Sequence, residues 1–294
     1  MRALVLMSTA AAILMAASLA FAAQIDGTEG PDTLSGTIED DRMSGRGGDD
    51  VLRADAGRDG LDGGAGDDRL FGDAQDDVLV GEVIQCSSPN ACTPASFGAD
   101  HLDGGSGEDE LYASFFPGVE GANVTGNDNG TLIGGSGDDD IFGSDGPDTI
   151  SGGTGEDEIL AGGGRDTISG GDDDDQINGG AGNDTIAGRD GDDEVTGRGG
   201  NDTISVAQEE DVVSGGGGRD TISGGTEEDE LSGGGGRDTL TGGPQPDLLS
   251  GGSGADTINA RDGARDVVNC GSGRDLARVD RFDVVRGCEQ VNRR

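Results

Sequence analysis

The stretch that decides the fold is Gly-Gly-Ala-Gly-Asp-Asp-Arg-Leu-Phe, residues 63–71. It is one copy of a nine-residue pattern, Gly-Gly-x-Gly-x-Asp-x-apolar-x, which recurs in phase over residues 27–80, 95–112 and 125–259. The eighth position is apolar in every copy, and the sixth is Asp in every copy except the one where Gly130 stands. A fixed internal period of this kind predicts a repeat architecture, whatever the local propensities are.

Each position of the nonapeptide has a structural meaning. The glycines allow tight turns, and the x-apolar-x tripeptide is a short strand whose middle side chain points inward. One copy therefore makes half a coil, and two copies close a full one. We predict an all-β fold, a right-handed parallel β-roll (β-solenoid) with two nonapeptides per coil, so that position i stacks on position i + 18. Stacked coils of this kind bury a common core.

A second period supports two copies per coil. In the last block the seventh position is Thr in every second copy, from Thr149 to Thr257. The intervening copies are mostly acidic at this position. The two faces of the roll are therefore expected to differ, with a ladder of threonines on one of them.

The repeated aspartates predict a metal site. Stacked strands bring turns that are one coil apart to about 4.8 Å, where carboxylates repel each other unless a cation lies between them. The formal net charge is −41, with 60 acidic residues against 19 basic ones. Calcium takes about 6–8 oxygen ligands in flexible geometry, whereas magnesium retains its water, so several Ca²⁺ ions are the expected cofactor. The candidate ligands are Asp32, Asp41, Asp50, Asp59, Asp68, Asp77, Asp100, Asp109, Asp139, Asp148, Asp157, Asp166, Asp175, Asp184, Asp193, Asp202, Asp220, Asp229, Asp238 and Asp256.

Three turns depart from the pattern and are expected to bind calcium poorly. Copy 125–133 lacks the aspartate, and copy 206–214 lacks all of the glycines. Copy 242–250 carries Pro244 and Pro246.

The nonapeptide resembles the repeats of the repeats-in-toxin (RTX) family over most of the chain. The resemblance implies a calcium-bound parallel β-roll and a likeness to secreted bacterial hemolysin-type calcium-binding repeat proteins. Enzymes of that family carry catalysis on a separate domain, for which the segments outside the repeats leave no room.

The first residues are typical of a secretory signal peptide. Arg2 precedes an apolar stretch, and Ala20-Phe21-Ala22 fits a cleavage site, so we expect a secreted chain that starts at Ala23. A retained membrane anchor is the competing interpretation. The expected organisation is 1–22 signal peptide, 23–80 first β-roll block, 81–94 insertion loop with a Cys pair, 95–112 short β-roll block, 113–124 insertion loop, 125–259 main β-roll block, and 260–294 degenerate C-terminal capping coils.

The four cysteines fit an oxidising compartment. Cys270 and Cys288 are one coil apart, so a disulfide between them is predicted to cap the C-terminal coils, where Asp266, Asp275 and Asp283 continue a degraded repeat. Cys86 and Cys92 would close a small loop. Four cysteines allow three pairings, and the other two stay open at this point.

No catalytic function is predicted. The chain has neither a His-Glu-x-x-His zinc motif nor a Gly-x-Ser-x-Gly turn, and its basic residues are all Arg. We expect a secreted protein that folds on binding extracellular calcium and has a structural, cell-surface or matrix role. The alternatives are a recognition module for ice or a polymer that uses the Thr face, or an auxiliary module for a separately encoded enzyme. We expect neither a nucleic-acid partner nor a membrane span after signal cleavage; oligomeric state is left open.

Overall fold

The computed structural model describes residues 23–83, 100–115 and 129–294 of the chain. Three predictions lie outside this part: the signal peptide, the Cys86–Cys92 loop and most of the 113–124 insertion. The described residues are strands, turns and bends, and none of them belongs to a helix that could cross a membrane. The chain divides into two compact units, 1–150 and 151–294.

The first unit is a stack of short parallel strands. Its strands are β1 (Gln24–Asp26), β2 (Thr33–Ser35), β3 (Arg42–Gly47), β4 (Val51–Arg53), β5 (Gly60–Ala65), β6 (Arg69–Ala74), β7 (Val78–Val83), β8 (His101–Ser106), β9 (Glu110–Phe115), β10 (Thr131–Ser136) and β11 (Asp140–Phe142). The division of the chain falls within β12 (Thr149–Thr154). Strands β1, β3, β5, β7, β9 and β11 follow one another in one sheet, and β2, β4, β6, β8 and β10 in the other.

The second unit repeats this arrangement. Its strands are β13 (Glu158–Leu160), β14 (Gly163–Gly164), β15 (Thr167–Asp172), β16 (Gln176–Asn178), β17 (Ala181–Gly182), β18 (Thr185–Asp190), β19 (Glu194–Thr196), β20 (Thr203–Ser205), β21 (Val212–Gly218), β22 (Thr221–Ser223), β23 (Glu230–Gly236), β24 (Thr239–Thr241), β25 (Leu248–Gly254), β26 (Thr257–Ala260), β27 (Val267–Asn269), β28 (Ser272–Gly273), β29 (Leu276–Val279), β30 (Val284–Arg286) and β31 (Gln290–Arg293). One sheet runs β13-β16-β19-β21-β23-β25-β27-β30 and the other β15-β18-β20-β22-β24-β26-β29-β31, while β14 pairs with β17 and β28 with β25.

Neighbouring strands are parallel and mostly two nonapeptides apart in the sequence. Ile168 pairs with Ile186, and Ile186 with Ile204. The register of the apolar column survives the interruptions, since Leu70 pairs with Leu102. The predicted all-β parallel β-roll with two nonapeptides per coil is therefore confirmed.

The core of each unit consists of the eighth-position side chains. They stack in two columns, one under each sheet, and all except Leu34 are almost completely buried; Leu52, Leu70 and Leu102 are examples in the first unit, each with no exposed surface. Each coil adds one apolar side chain to each column, mostly Leu, Ile or Val, so the core is narrow and depends on stacking.

The threonine ladder, defined as Thr167, Thr185, Thr203, Thr221 and Thr239, lies on the outer surface of one sheet of the second unit. Its members pair in register along β15, β18, β20, β22 and β24, and all are exposed. On the other sheet Glu158 pairs with Gln176, and Gln176 with Glu194. The predicted difference between the two faces is present.

The C-terminal coils contain the predicted disulfide. Cys270 and Cys288 are bonded, with Cα atoms 5.1 Å apart, and Cys270 is completely buried. The coils around it deviate from the regular two-nonapeptide step: Leu249 pairs with Val268, which in turn pairs with Val285.

Candidate metal centre

The sixth-position aspartates form a hydrogen-bonded ladder along the turns of each unit. The backbone N–H of one Asp donates to Oδ1 of the Asp one coil further along, for example Asp184 to Asp202 and Asp202 to Asp220, both at 2.9 Å. We call this set of residues the carboxylate ladder. Asp68 donates in the same way to Asp100 across a sequence separation of 32, so the interruption leaves the ladder continuous. These backbone bonds orient the carboxylates identically and leave the second oxygen, Oδ2, for another partner.

The second oxygen of many ladder aspartates is buried and has no hydrogen-bond partner in the described part of the chain. Carboxylate oxygens removed from water without a partner are costly, so such a column calls for a cation. The aspartates concerned are Asp50, Asp59, Asp68, Asp77, Asp109, Asp175, Asp184, Asp193, Asp202, Asp211, Asp220, Asp229, Asp238, Asp247, Asp256, Asp266 and Asp275.

A small space next to Oδ2 explains why the first position is usually Gly. A Cβ on Gly197 would lie 2.5 Å from Asp202 Oδ2 and 2.7 Å from the Gly215 carbonyl oxygen. A Cβ on Gly215 would lie 2.6 Å from Asp220 Oδ2. We call this space, between the first-position Cα, the Asp Oδ2 and the next coil's carbonyl, the cradle. Its carboxylate and carbonyl oxygens are the ligands that calcium prefers.

Three of the predicted ligands have a different arrangement, which the aspartate period does not reveal. The second oxygen of Asp32 accepts hydrogen bonds from the N–H and hydroxyl of Thr28, at 2.6 and 2.9 Å. Asp41 is bonded in this way by the Thr37 N–H, and Asp148 by the N–H and hydroxyl of Ser144. In these turns the second position is Thr or Ser instead of Gly. A local cap therefore satisfies the carboxylate oxygen, as in an Asx or ST turn.

Other turns place a side chain at the cradle. The first position is Ala54 before Asp59 and Val206 before Asp211, and both of these side chains are buried. The turn that lacks glycines keeps its backbone path nevertheless, since Glu209 adopts a φ of 73°. For copy 125–133, the Gly130 N–H donates to Asp148 Oδ1 at 2.7 Å, so the ladder bond persists without a carboxylate. These features give the physical reason to expect weaker binding there.

Burial raises the pKa of several ladder carboxylates in the metal-free roll. The pKa of Asp77 and Asp175 is raised from 3.8 to about 8. Desolvation is the largest cause, the ladder hydrogen bond acts in the opposite direction, and neighbouring carboxylates add to the rise. The pKa of Asp202 rises to about 6, again mainly because burial removes the carboxylate from water. These carboxylates resist ionisation because no countercharge lies nearby among the residues that the structure describes. A divalent cation would supply that charge and favour their ionised form.

Five further aspartates belong to the ladder but were absent from the predicted set. They are buried, and their Oδ1 atoms accept from the N–H of the Asp one coil earlier; these residues are Asp211, Asp247, Asp266, Asp275 and Asp283. Asp211 and Asp247 occupy the sixth position, but their copies, 206–214 and 242–250, are the irregular ones that are expected to bind calcium poorly. The last three follow steps of 19, 19 and 17 residues, which obscure the period.

The comparisons with known proteins agree with this geometry. A search of curated proteins finds no significant match. The family model described as RTX calcium-binding nonapeptide repeat (4 copies) matches residues 26–61, 61–83, 95–115, 133–168, 169–204, 208–240, 232–267 and 241–277. These ranges span most of the chain and contain the carboxylate ladder except for its last member, Asp283. The chain therefore belongs to the RTX calcium-binding nonapeptide repeat family, and it is a calcium-binding β-roll protein.

Proposed function

We propose that this chain is a secreted protein whose β-roll folds on binding extracellular calcium and then serves a structural role at the cell surface or in the matrix. The observation that supports the proposal most directly is the column of buried Oδ2 atoms without hydrogen-bond partners in the described residues. Calcium would neutralise these oxygens at the moment when the coils stack. Members of this family are generally non-catalytic, and we assign no catalytic role to the chain.

The charge balance supports coupling between calcium binding and folding. A chain with a net charge of −41 and 31% hydrophobic residues has little apolar surface to bury against strong self-repulsion. Because the cradle uses oxygens from two coils, it does not exist in the unfolded chain, so its binding free energy contributes directly to folding. The signal-like first residues and the Cys270–Cys288 disulfide support export to an oxidising, calcium-rich compartment.

The geometry divides most of the candidate ligands into two classes, to neither of which Asp59, with Ala54 at its first position, belongs. We assign calcium to turns in which Gly stands at the first position and Oδ2 has no local cap, such as those of Asp68, Asp202 and Asp220. We assign none to the capped carboxylates of Asp32 and Asp41. Asp148 joins them because Ser144 occupies its second oxygen.

The experiment that tests the proposal is circular dichroism of the chain from Ala23 onward, titrated separately with calcium and magnesium. We expect a cooperative change from coil to β-structure with calcium at sub-millimolar to millimolar concentration, and none with magnesium. A chain that stays disordered in about 10 mM calcium would overturn the proposal. A chain already fully β-structured in chelator would show that core and disulfide suffice, and would remove the coupling to folding.

The threonine ladder supports a second candidate function, recognition of ice or a regular polymer. Five exposed threonines in register form a repeating array of hydroxyl and methyl groups. We expect replacement of Thr185, Thr203 and Thr221 by Lys to abolish such binding while leaving calcium-induced folding intact. If the wild type and the triple Lys variant bind ice or polysaccharide equally well, this candidate function is contradicted.

A further inference from the structure

A third carboxylate joins two ladder aspartates near the C-terminal end of the second unit. Asp247 and Asp266 are consecutive members of the ladder on one edge of the roll, since the Asp247 N–H donates to Asp266 Oδ1 at 2.9 Å. Asp262 lies in the turn that precedes Asp266. One carboxylate oxygen from each of the three residues lies within 4.8 Å of the others. It is the one group of three such side chains with this spacing among the described residues.

A one-residue insertion explains why Asp262 reaches the ladder. Ala260-Arg261-Asp262-Gly263 aligns with Gly188-Arg189-Asp190-Gly191, so Asp262 and Asp190 occupy the same position of the repeat. Asp190 precedes its ladder residue, Asp193, by three positions, whereas Asp262 precedes Asp266 by four. The extra residue lengthens the turn.

The lengthened turn is held in place by hydrogen bonds. The Ala264 N–H donates to Asp262 Oδ1 at 2.6 Å, and the Gly263 N–H donates to Asp280 Oδ2 at 2.7 Å. Gly263 has a φ of 101°, in the left-handed region that favours glycine. Asp262 is thus fixed at its backbone while its side chain stays exposed to water.

The two ladder members of this group carry the buried oxygens that point to a ligand. Asp247 is 4% exposed and Asp266 0%, and the Oδ2 atom of each is buried with no hydrogen-bond partner in residues 23–83, 100–115 and 129–294. Within the part of the chain that the structure describes, no ion pair within 4 Å involves Asp247, Asp262 or Asp266. Three converging carboxylates, two of them buried, therefore lack a countercharge.

We propose that Asp247, Asp262 and Asp266 form a calcium site that binds more tightly than the regular cradles. A regular cradle uses ladder carboxylates and backbone carbonyls, whereas this site adds a third carboxylate from outside the ladder. The number of charged ligands tunes calcium affinity over several orders of magnitude. The exposed side of Asp262 leaves coordination positions for water, which calcium accepts readily. The proposal rests on calcium binding by the roll. It assigns high affinity to a site that includes Asp247, whose Pro-containing copy 242–250 is expected from the sequence to bind poorly.

Equilibrium dialysis with radioactive calcium tests the proposal on the whole chain from Ala23 onward, at submicromolar to millimolar free calcium. The variants are Asp262→Asn and, as a matched control, Asp190→Asn. Both remove one exposed charge from the third position of a turn and retain an amide oxygen as acceptor for the hydrogen bond, from the Ala264 N–H or the Gln208 Nε2 respectively.

The expected result is one tight site per chain in the wild type and in Asp190→Asn. In Asp262→Asn the affinity of this site for calcium falls by roughly tenfold or more. The site can then no longer be distinguished from the weaker regular cradles. Unchanged tight binding in Asp262→Asn, or an equal loss in both variants, would overturn the assignment to Asp262 while leaving calcium binding by the roll intact. A wild-type chain that binds no calcium at any concentration would overturn both proposals.

Discussion

The backbone N–H of Asp184 lies 2.9 Å from Oδ1 of Asp202, one coil further along the chain. This bond uses one oxygen of the Asp202 carboxylate to hold two coils in register and leaves Oδ2 buried, with no hydrogen-bond partner among the residues that the structure describes. The same side chain therefore has a backbone-organising role and, under the proposed calcium binding, a cation-binding role, and the two can be separated by mutation.

Replacing Asp202 by Asn or by Ala separates these roles. Asn keeps an oxygen for the Asp184 N–H but removes the charge, so we expect lower calcium stoichiometry with a metal-free state close to that of the wild type. Ala also leaves a buried N–H unsatisfied, at a further cost of about 1–3 kcal/mol in the free energy of unfolding. Calcium titration and denaturant unfolding in saturating calcium measure the two effects. Equal stability of the two variants in calcium would contradict the backbone role.

The first position of the repeat should control access of the ion to the cradle. In Gly197→Ala the new Cβ would lie 2.5 Å from Asp202 Oδ2, so we expect loss of calcium at that turn and a lower melting temperature in calcium. Gly199, in the same copy, has nothing within 4 Å of its Cβ position, and Gly199→Ala is the matched control, with an effect within about 0.5 kcal/mol. Isothermal titration calorimetry gives the stoichiometry. Equal behaviour of the two variants would contradict the cradle.

The reverse substitution tests the same idea from the other direction. Val206 is buried at the first position of the turn that contains Asp211, whose Oδ2 lacks a hydrogen-bond partner in the described chain. We expect Val206→Gly to raise calcium stoichiometry by one, because the carboxylate is already in the ladder. It should also destabilise the metal-free roll by roughly 1–3 kcal/mol through lost apolar contact. Unchanged stoichiometry would show that the side chain at this position does not limit binding.

The metal-free and calcium-bound rolls should respond to pH in opposite ways. Burial raises the pKa of Asp77, Asp175 and Asp211 in the folded chain from 3.8 to about 8, so between about pH 4 and 8 the folded state binds more protons than the unfolded state. These groups therefore contribute most to the free energy of unfolding of the metal-free roll at acidic pH. The contribution is lost as pH rises through the folded pKa values. Protons compete with calcium for the same oxygens, so calcium affinity rises over this window.

The measurement for this prediction is β-structure by circular dichroism between pH 5 and 8.5, in chelator and at fixed calcium. We expect acidification in chelator to increase folding, and acidification at limiting calcium to weaken binding. Metal-free stability that rises with pH would contradict the burial of ionisable carboxylates.

The disulfide should stabilise the C-terminal coils. Cys270 and Cys288 close a segment with a sequence separation of 18, for which the chain-entropy model gives about 3 kcal/mol. We expect Cys288→Ser to lower the melting temperature in calcium and to increase hydrogen exchange in β27, β29 and β30. The exchange pattern of β15 to β20 is the internal control. Uniform loss of protection along the second unit would show instead that this disulfide supports the whole stack.

Much of the fold follows from individual positions of the sequence. The apolar eighth position predicted the buried columns that contain Leu70 and Ile186, because a two-residue alternation decides which side chains point inward. The regular step from Thr185 to Thr203 and Thr221 predicted the register of one sheet, and the Cys270–Cys288 spacing predicted their bond.

The candidate site was predicted less completely. Asp32 and Asp148 match the pattern, yet neighbouring Thr28 and Ser144 already bond their second oxygens. Asp266 lies in the ladder although its spacing departs from the period. A periodic pattern states that an aspartate is present in a turn, but local hydrogen bonds decide whether its oxygen is available.

The sequence by itself determined the parallel β-roll and the alignment of one Asp per turn, because a strict period of nine leaves a single way to stack the apolar residues. Only the tertiary structure decided which carboxylates face an open cradle, since each cradle combines a first-position Cα with a carbonyl from the next coil. It also decided that Asp262 meets Asp247 and Asp266. That meeting depends on how one inserted residue is accommodated against neighbouring coils, a packing effect that the linear pattern does not contain.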